Sequence, residues 1–319
     1  DRLGGVCLNW GCIPTKALLW SAGAYLQARR LEEFGVRLEG KASPDFAAMM
    51  ARKEQIVATL VGGVQDLLAG HGVNVVHGTA RLASPHSVEV TLDDGELTAL
   101  TARNVVIATG SVPARPPVPG LDLAGVITSN GVMTLQAVPH RRALIGGGVI
   151  GIGFATLFSA LGAQVTVVEM LPHLLPPVDH ELAKRYRPIL RQQGIEVRLE
   201  ARVEEVTAVE SGLAVRYTLK GQTETVEADL VLNATGRVPF SDGLGLDELG
   251  VARQRGRVPV DNHMATNVPG VYAIGDVAAE GPMLAHVASR QGVVAVEDAL
   301  GHPAHMDYRS VPSCIFTIP

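Results

Sequence analysis

Apolar and polar residues follow two periods along this chain, and the change of period predicts helices and strands. Apolar residues at helical spacing predict one helix from Cys12 to about Leu31 and a second from about residue 45 to Ala69. The second helix carries an apolar stripe that we expect to face a core, formed by Ile56, Leu60, Val64 and Leu67. Short apolar runs then predict strands at VNVVHG, SVEVTL and NVVIATG, the last of them buried.

From residue 141 onwards the strand and helix patterns alternate. Strand RALIGGG is followed by a helix at 149–161, strand AQVTVVE, a helix near 179–193 and strand IEVRLE. Alternation of this kind predicts a βαβ unit with a parallel sheet. Strands near 203–209 and 214–219 predict an antiparallel meander, and ADLVLNATGR predicts the strand that closes the domain. The predicted fold class is therefore α/β.

A proline-rich stretch, VPARPPVPG at residues 112–120, predicts a domain boundary. Two apolar strands that each end in Ala-Thr-Gly, in NVVIATGS and DLVLNATGR, indicate two dinucleotide-binding domains. Only the second of these domains contains a glycine fingerprint. We therefore expect the fingerprint of the first domain to lie before Asp1, so that the sequence is truncated.

Composition narrows the class of protein. The chain has 319 residues, of which 47 % are hydrophobic and 4 % aromatic, and this profile suits packed α/β layers rather than disorder. The net charge of −5, without long runs of one sign, gives no indication of a nucleic acid or membrane partner. Three cysteines are too few for a disulfide-stapled secreted protein of this size. The uncharged stretch 143–168 is also compatible with a transmembrane helix, but six glycines and a glutamine interrupt it.

The sequence G-x-G-x-x-G, formed by Gly146, Gly148 and Gly151, lies between a predicted strand and a predicted helix. In that context the glycines let the backbone approach a pyrophosphate at the helix N-terminus. Glu169 ends the next strand, where a carboxylate accepts the ribose hydroxyls and repels a 2′-phosphate. The pattern predicts NAD rather than NADP, with a purely structural glycine turn as the alternative.

Two cysteines, Cys7 and Cys12, lie close together at the N-terminus. Cys12 begins a predicted helix, whose dipole favours a thiolate, and Lys16 lies one turn further on the same face. This arrangement favours a redox-active dithiol over a structural disulfide, a zinc site or two unpaired core cysteines. Cys314, in an apolar run, is predicted to be a small core residue.

Five motifs resemble, in order and over the whole chain, landmarks of the flavin-dependent pyridine nucleotide–disulfide oxidoreductases. They are GGVCLNWGCIPTKALL, VVIATGS, LIGGGVIG, NATGRVP and VYAIGDVAAEGPMLAHVASRQG. Within that family the chain is most similar to the members that oxidise dihydrolipoamide. The resemblance implies a three-layer, Rossmann-like fold with parallel sheets and two dinucleotide-binding domains, which use FAD and NAD.

The resemblance also implies a domain organisation. Residues 1–111 would be an FAD-binding domain without its first βαβ unit, and residues 112–239 an NAD-binding domain. Residues 240–309 would complete the FAD-binding domain, and residues 310–319 would begin an interface domain.

Roles for individual residues follow from the same resemblance. Cys7 would exchange with the substrate, Cys12 would face the flavin, and Lys16 would lie by the reactive flavin nitrogen. The implied FAD contacts are Lys16, Ala80, Thr109, Gly110, Ser111, Asp276, Met283, Leu284, Ala285 and His286. The implied NAD contacts are Gly146, Gly148, Gly151, Glu169, Val203 and Gly236. No metal ligands are expected.

The implied reaction is oxidation of protein-bound dihydrolipoamide with reduction of NAD⁺. The implied partners are a second copy, in a homodimer, and the lipoyl domains of 2-oxo acid dehydrogenase complexes. The expected compartment is the bacterial cytoplasm or the mitochondrial matrix. The alternatives are another flavin disulfide or mercuric-ion reductase, and a non-catalytic NAD-binding fragment or degenerate paralogue.

Two departures from the family pattern bear on activity. Gly153 stands where family members carry a glutamate that pairs with the lysine matching Lys16, and we expect its absence to raise the flavin potential and slow hydride transfer. The family's catalytic histidine–glutamate pair, in an interface domain donated by the partner subunit, lies outside these residues. We therefore expect these residues alone to be inactive.

Overall fold

The computed structural model describes residues 2–318. The helices are α1 (Gly5–Asn9), α2 (Cys12–Ala28), α3 (Phe46–Gly70), α4 (Ser129–Val132), α5 (Val149–Ala160), α6 (His180–Gln192) and α7 (Ala285–Ala299). The first nine strands are β1 (Gly78–Ser84), β2 (Ser87–Leu92), β3 (Leu97–Thr101), β4 (Val105–Ile107), β5 (Ser111–Pro113), β6 (Val126–Thr128), β7 (Arg141–Ile145), β8 (Gln164–Val168) and β9 (Ile195–Arg198). The remaining strands are β10 (Ala201–Val209), β11 (Gly212–Leu219), β12 (Gln222–Ala228), β13 (Leu230–Asn233), β14 (Arg237–Pro239) and β15 (Val271–Ala273). Two 3₁₀ turns cover Leu31–Phe34 and Gly275–Val277.

The described residues form two compact units. The first unit contains residues 2–5, 63–112 and 237–314, and the second contains residues 6–62, 113–236 and 315–318. The unit boundaries near residues 112 and 237 lie within three residues of the predicted domain boundaries. Residues 6–62 belong to the second unit, because α2 packs on α5. The assignment of one cofactor to each domain stays a prediction.

The second unit has three layers. Its centre is a parallel five-stranded sheet in the order β6-β13-β7-β8-β9. Successive side chains of a strand point to opposite faces. Accordingly, Leu144 of β7 packs into the cluster that contains residues of α2 and α5, whereas Ala143 and Ile145 pack with the antiparallel meander β10-β11-β12. The predicted βαβ unit and the meander are confirmed.

The helix α5 is buried along Gly151–Phe158, as expected for a helix that is apolar on every side. The uncharged stretch 143–168 is divided among β7, a glycine loop, α5 and β8. Within residues 2–318, no helix is both long and apolar enough to cross a membrane. The transmembrane alternative for this stretch is therefore wrong.

The first unit is built from short sheets. Strands β1-β2-β3 form an antiparallel sheet, β15 pairs in parallel with β4, and β14 pairs with β5. One core cluster contains Ile107 and Val271 from the β4–β15 pair. A second cluster packs α7 against β15 through Val294 and Tyr272. The β5–β14 pair sets two distant segments of the chain side by side.

Several local predictions for residues 45–107 and for Cys314 were wrong. VNVVHG is not a strand, because no described strand lies beside residues 73–77 to pair with them, and β1 begins only at Gly78. The helix α3 buries Phe46, Lys53 and Val57, whereas its predicted stripe leaves Leu60 41 % and Leu67 61 % exposed. Periodicity alone does not determine what packs against a stripe, and residues 60–70 of this helix stay exposed or half-buried. In β4 only Ile107 is buried, and Cys314 is exposed.

Candidate functional site

A disulfide joins Cys7 in α1 to Cys12, the first residue of α2. The Cα atoms of the two cysteines lie 4.6 Å apart, inside the usual range for a disulfide. Gly11 is the N-cap of α2 and offers no side-chain acceptor, so no capping side chain accepts the N–H groups at the start of this helix, where Cys12 lies. After reduction of the disulfide, these groups and the helix dipole favour a thiolate at Cys12. The arrangement has the chemistry of a redox dithiol.

Lys16 lies one helical turn after Cys12 and is half-buried. Burial lowers the pKa of the Lys16 ammonium below its ordinary value. No acidic side chain of residues 2–318 forms an ion pair with it; its Nζ instead lies 5.1 Å from the centroid of the Phe316 ring. The sequence pattern did not single out Phe316, and nothing in its spacing indicated this contact.

Gly153 is buried in the middle of α5, the helix on which α2 packs. A Cβ built at Gly153 would meet no atom within 4 Å, so the position opens into free space. The space is large enough to begin a longer side chain, such as the glutamate that the family resemblance places at this position. In this chain Lys16 has no carboxylate from this position.

The glycine loop after β7 uses its three glycines differently. A Cβ at Gly146 would lie 2.4 Å from the carbonyl oxygen of Ala234, and one at Gly151 would lie 1.9 Å from the carbonyl oxygen of Gly146. These two glycines therefore allow β7, β13 and α5 to pack closely. A Cβ at Gly148 would meet no atom within 4 Å, and Gly148 is the N-cap of α5 without a side-chain cap. The free N–H groups of α5 thus face an open position that suits a pyrophosphate.

Glu169 follows β8 and lies beside the glycine loop. Its Oε2 accepts a hydrogen bond from the Gly147 N–H at 2.5 Å, and its Oε1 accepts one from the Leu171 N–H at 2.7 Å. Each carboxylate oxygen retains a further lone pair, which can accept a ribose hydroxyl. The side chain is 8 % exposed, so the loop holds it in one orientation. These residues fit a dinucleotide without a 2′-phosphate.

Two other predicted NAD contacts lie near the same loop. Gly236 follows β13 with φ of +124°, a conformation that favours glycine. Its carbonyl oxygen accepts the N–H of Ala114 at 2.9 Å. Val203 of β10 is half-buried against the cluster that contains Ile145, the last residue of β7. Contact of either residue with NAD stays a prediction.

In the first unit, the predicted flavin residues Thr109 and Gly110 hold the chain at Phe240. The Thr109 hydroxyl donates to the Phe240 carbonyl at 2.5 Å, and the Phe240 N–H donates to the Gly110 carbonyl at 2.9 Å. These bonds join the end of the first Ala-Thr-Gly segment, residues 108–110, to Phe240, which follows the second Ala-Thr-Gly segment, residues 234–236. Ala80, in β1, is exposed, and no described contact joins it to this cluster.

Ser111 and Asp276 are in direct contact. The Ser111 hydroxyl donates to Asp276 Oδ2 at 2.5 Å, and the Ser111 side chain is nearly fully buried. Arg237 donates from Nε to the Ser111 hydroxyl oxygen at 2.8 Å and from Nη2 to the Ser111 carbonyl at 2.5 Å. Sequence reasoning missed Arg237, although the motif NATGRVP contains it.

The other predicted flavin residues precede and begin α7. Leu284 is the N-cap of α7 and supplies no side-chain cap, so the first N–H groups of the helix, at Ala285 and His286, have no side-chain acceptor. The His286 Nε2 lies 2.9 Å from the Pro312 carbonyl oxygen. Met283 lies in the loop before the helix. The uncapped start of α7 suits a phosphate-bearing cofactor, and the Asp276 oxygen without a described hydrogen bond can accept one from a hydroxyl group.

The fold, the disulfide at the start of α2 and the glycine loop before α5 are those of a dinucleotide-binding disulfide oxidoreductase. Residues 2–292 match the pyridine nucleotide-disulphide oxidoreductase family, and the chain belongs to that family. Membership implies FAD and NAD(H) as cofactors, and the residues described above fit both in part.

Two dihydrolipoyl dehydrogenases are similar to this chain over its whole length. A dihydrolipoyl dehydrogenase from Chlamydia pneumoniae is 40 % identical over 321 residues, which cover 100 % of this chain and 68 % of that protein. A mitochondrial dihydrolipoyl dehydrogenase from Dictyostelium discoideum is 38 % identical, with 100 % of this chain and 66 % of that protein covered. The chain thus spans about two thirds of the length of these relatives.

Solved structures agree on the fold. The crystal structure of LpdA from Mycobacterium tuberculosis matches with a TM-score of 0.90 at 29 % identity, covering 99 % of this chain and 69 % of that chain. A Cu(II) complex of the HOCl-induced flavoprotein disulfide reductase RclA C43S mutant from Escherichia coli matches with a TM-score of 0.85 at 28 % identity, covering 98 % and 67 %. The predicted α/β fold and family are confirmed.

Proposed function

We propose that this protein oxidises protein-bound dihydrolipoamide to lipoamide and reduces NAD⁺, using the Cys7–Cys12 disulfide and FAD. The observation that carries the proposal is the disulfide at the N-terminus of α2, with Lys16 one turn further, in a chain that also has a dinucleotide loop. The named relatives support dihydrolipoamide as the substrate.

The first half-reaction is a thiol–disulfide exchange. One dihydrolipoamide thiolate attacks the sulfur of Cys7, the S–S bond to Cys12 breaks, and Cys12 leaves as a thiolate. The second substrate thiol then displaces Cys7 and closes the lipoamide ring disulfide. The substrate loses two electrons and two protons, and the protein gains a reduced cysteine pair.

The second half-reaction restores the disulfide. FAD would supply the two-electron transfer from the reduced cysteine pair to NAD⁺, so that the disulfide forms again and NADH and one proton are released. The N-terminal N–H groups of α2 and the Lys16 cation stabilise the Cys12 thiolate meanwhile. Gly148 leaves room for the nucleotide pyrophosphate, and Glu169 orients the ribose.

The proposal extends to partners and compartment. The substrate lipoyl groups would be attached to lipoyl domains of 2-oxo acid dehydrogenase complexes, and the active protein would be a homodimer. The relatives include bacterial and mitochondrial proteins, which supports the bacterial cytoplasm or the mitochondrial matrix.

The test uses the flavin-loaded protein in a form that also contains the FAD fingerprint and the histidine–glutamate pair expected outside these residues, with dihydrolipoamide and NAD⁺. We expect NADH to form with the wild type and to fall to background with Cys7→Ser or Cys12→Ser. Cys314→Ser is the matched control, because Cys314 is a free, exposed cysteine, and its activity should equal that of the wild type. Full activity of Cys12→Ser would contradict the proposal.

A second candidate is another disulfide reductase of the same family. Vigna unguiculata leghemoglobin reductase is 39 % identical, and RclA is a flavoprotein disulfide reductase. Reversing the assay separates the candidates: NADH should be oxidised by lipoamide much faster than by glutathione disulfide. NAD binding without any reduction of the cysteine pair would instead indicate a non-catalytic paralogue.

A further inference from the structure

Three residues far apart in the sequence form one hydrogen-bonded chain in the first unit. The pairing of β5 with β14 places Arg237 beside Ser111, and the turn after β15 brings Asp276 to the other side of the same serine. The sequence separations are 126 residues for Arg237–Ser111 and 165 residues for Ser111–Asp276. The contact is therefore a product of tertiary structure.

The hydrogen bonds fix the direction of the serine proton. Arg237 Nε–H can only donate, so the Ser111 hydroxyl oxygen must accept from it, at 2.8 Å. The hydroxyl proton is then directed to the other neighbour, Asp276 Oδ2, at 2.5 Å. A second donation, from Arg237 Nη2 to the Ser111 carbonyl, prevents the guanidinium from rotating away.

The charges of Arg237 and Asp276 agree with donation from Arg237 to Ser111 and from Ser111 to Asp276. Burial lowers the pKa of the Arg237 guanidinium, and the Asp276 carboxylate opposes that effect. The serine therefore lies between the Arg237 guanidinium and the Asp276 carboxylate. The backbone of the Asp276 turn is held separately, because the Gly275 N–H donates to Gln291 Oε1 at 2.7 Å and Gln291 is almost fully buried.

One carboxylate oxygen in this series of hydrogen bonds, Asp276 Oδ1, has no partner among residues 2–318. Asp276 Oδ2 accepts from Ser111, whereas Oδ1 accepts no hydrogen bond from residues 2–318. We propose that Arg237 is a positioning residue which, through Ser111, holds the Asp276 carboxylate with Oδ1 presented to a hydroxyl group of the flavin cofactor. This inference rests on the FAD use of the proposed function, and it assigns a role to Arg237 that sequence reasoning did not.

The experiment measures FAD affinity by flavin fluorescence after the cofactor has been removed and added back. Arg237→Met and Ser111→Ala should each weaken FAD binding about ten- to a hundredfold, the effect of losing one or two hydrogen bonds to a charged group. Arg253→Met is the matched control: Arg253 pairs with Asp242 and Asp247 in the same unit, outside this chain of bonds, and FAD affinity should not change.

A double-mutant cycle separates positioning from direct contact or general damage. In an Asp276→Asn background, Arg237→Met should change FAD affinity less than about threefold, because its only route of action is already altered. Equal losses of FAD affinity on Arg237→Met in the wild-type and Asp276→Asn backgrounds would overturn the proposal. Ser111→Ala keeps the test valid if Arg237→Met does not fold, because it removes the hydrogen bonds between Arg237 and Asp276 with a smaller change of side chain.

The outcomes for the proposed function are distinct. A wild type that binds FAD and shows the cycle but does not oxidise dihydrolipoamide contradicts the proposed substrate and leaves the role of Arg237 supported. A wild type that takes up no FAD overturns both.

Discussion

The Lys16 ammonium lies 5.1 Å from the centre of the Phe316 ring, on the helix face that follows the redox disulfide. A cation over an aromatic face is stabilised by the ring quadrupole. Position 153, on the helix packed against α2, is a glycine, and no ion pair of Lys16 is found within residues 2–318. Burial lowers the pKa of Lys16, and we expect the ring to oppose that effect by stabilising the cation.

Replacing Phe316 with leucine keeps an apolar neighbour but removes the quadrupole. We expect the pKa of Lys16 to fall further and its rate of modification by an amine-selective reagent at neutral pH to rise about two- to fivefold. Mass spectrometry of the modified peptide measures that rate. Phe316→Tyr should leave it unchanged, and Phe34→Leu, at an exposed aromatic elsewhere, is the control. A slower reaction of Lys16 in Phe316→Leu would contradict this account.

Gly153→Glu places a carboxylate in the open space on α5, next to the helix that carries Lys16. An ion pair worth about 1 kcal/mol should lower the flavin midpoint potential and raise the rate of NAD⁺ reduction about fivefold. Gly153→Gln is the control, because it gains the same helix propensity and nearly the same volume without the charge. Unchanged NAD kinetics in Gly153→Glu would refute the expected effect of the missing glutamate.

Two glycines of the dinucleotide loop should respond differently to alanine. Gly151→Ala forces a Cβ to within 1.9 Å of the Gly146 carbonyl oxygen, so we expect a loss of about 1–3 kcal/mol in the free energy of unfolding. Gly148→Ala meets open space and should unfold at the same urea concentration as the wild type, but bind NAD at least about tenfold more weakly. Urea unfolding and NAD titration read the two effects. Normal NAD affinity in Gly148→Ala would place the pyrophosphate elsewhere.

Arg142 is a buried cation at the start of β7. Its guanidinium stacks 3.4 Å from the Phe158 ring centroid, and both of its Nη atoms are buried without a hydrogen-bond partner among residues 2–318. Burial lowers the pKa of Arg142 to about 9. We expect Arg142→Met to raise the free energy of unfolding at neutral pH by about 1–3 kcal/mol, because desolvation costs more than the ring contact returns.

The gain in stability from Arg142→Met should depend on pH, because burial lowers the pKa of Arg142. Above about pH 9 the folded wild type releases the Arg142 proton while the unfolded chain retains it, so wild-type stability rises and its deficit against Arg142→Met shrinks. Urea unfolding at about pH 7 and about pH 10 measures this. The adjacent Arg141 pairs with Asp229 and Glu227 near the surface, and Arg141→Met should lower stability slightly. Destabilisation by Arg142→Met at both pH values would show that the guanidinium has a partner.

Much of the second unit was predictable from sequence because its signals are local. Glycines at fixed spacing, an apolar strand before them and a helix after them specify β7, the loop and α5 within a few residues. Asp179 caps α6 through its own side chain, and the cysteine pair lies only five residues apart. Each of these features depends on neighbours along the chain.

Other features depended on which segments meet in space. VNVVHG has strand composition, but a strand forms only beside another strand, and residues 73–77 have none among the described residues. The apolar stripe of α3 has helical periodicity, but periodicity does not say what covers it. The Arg237–Ser111–Asp276 chain needs the β5–β14 pairing, and the Lys16–Phe316 contact joins the two ends of the sequence. The sequence by itself determined the family, the closely spaced cysteine pair and the glycine loop between β7 and α5, whereas the tertiary structure decided which charges are paired, because pairing joins residues that no local pattern connects.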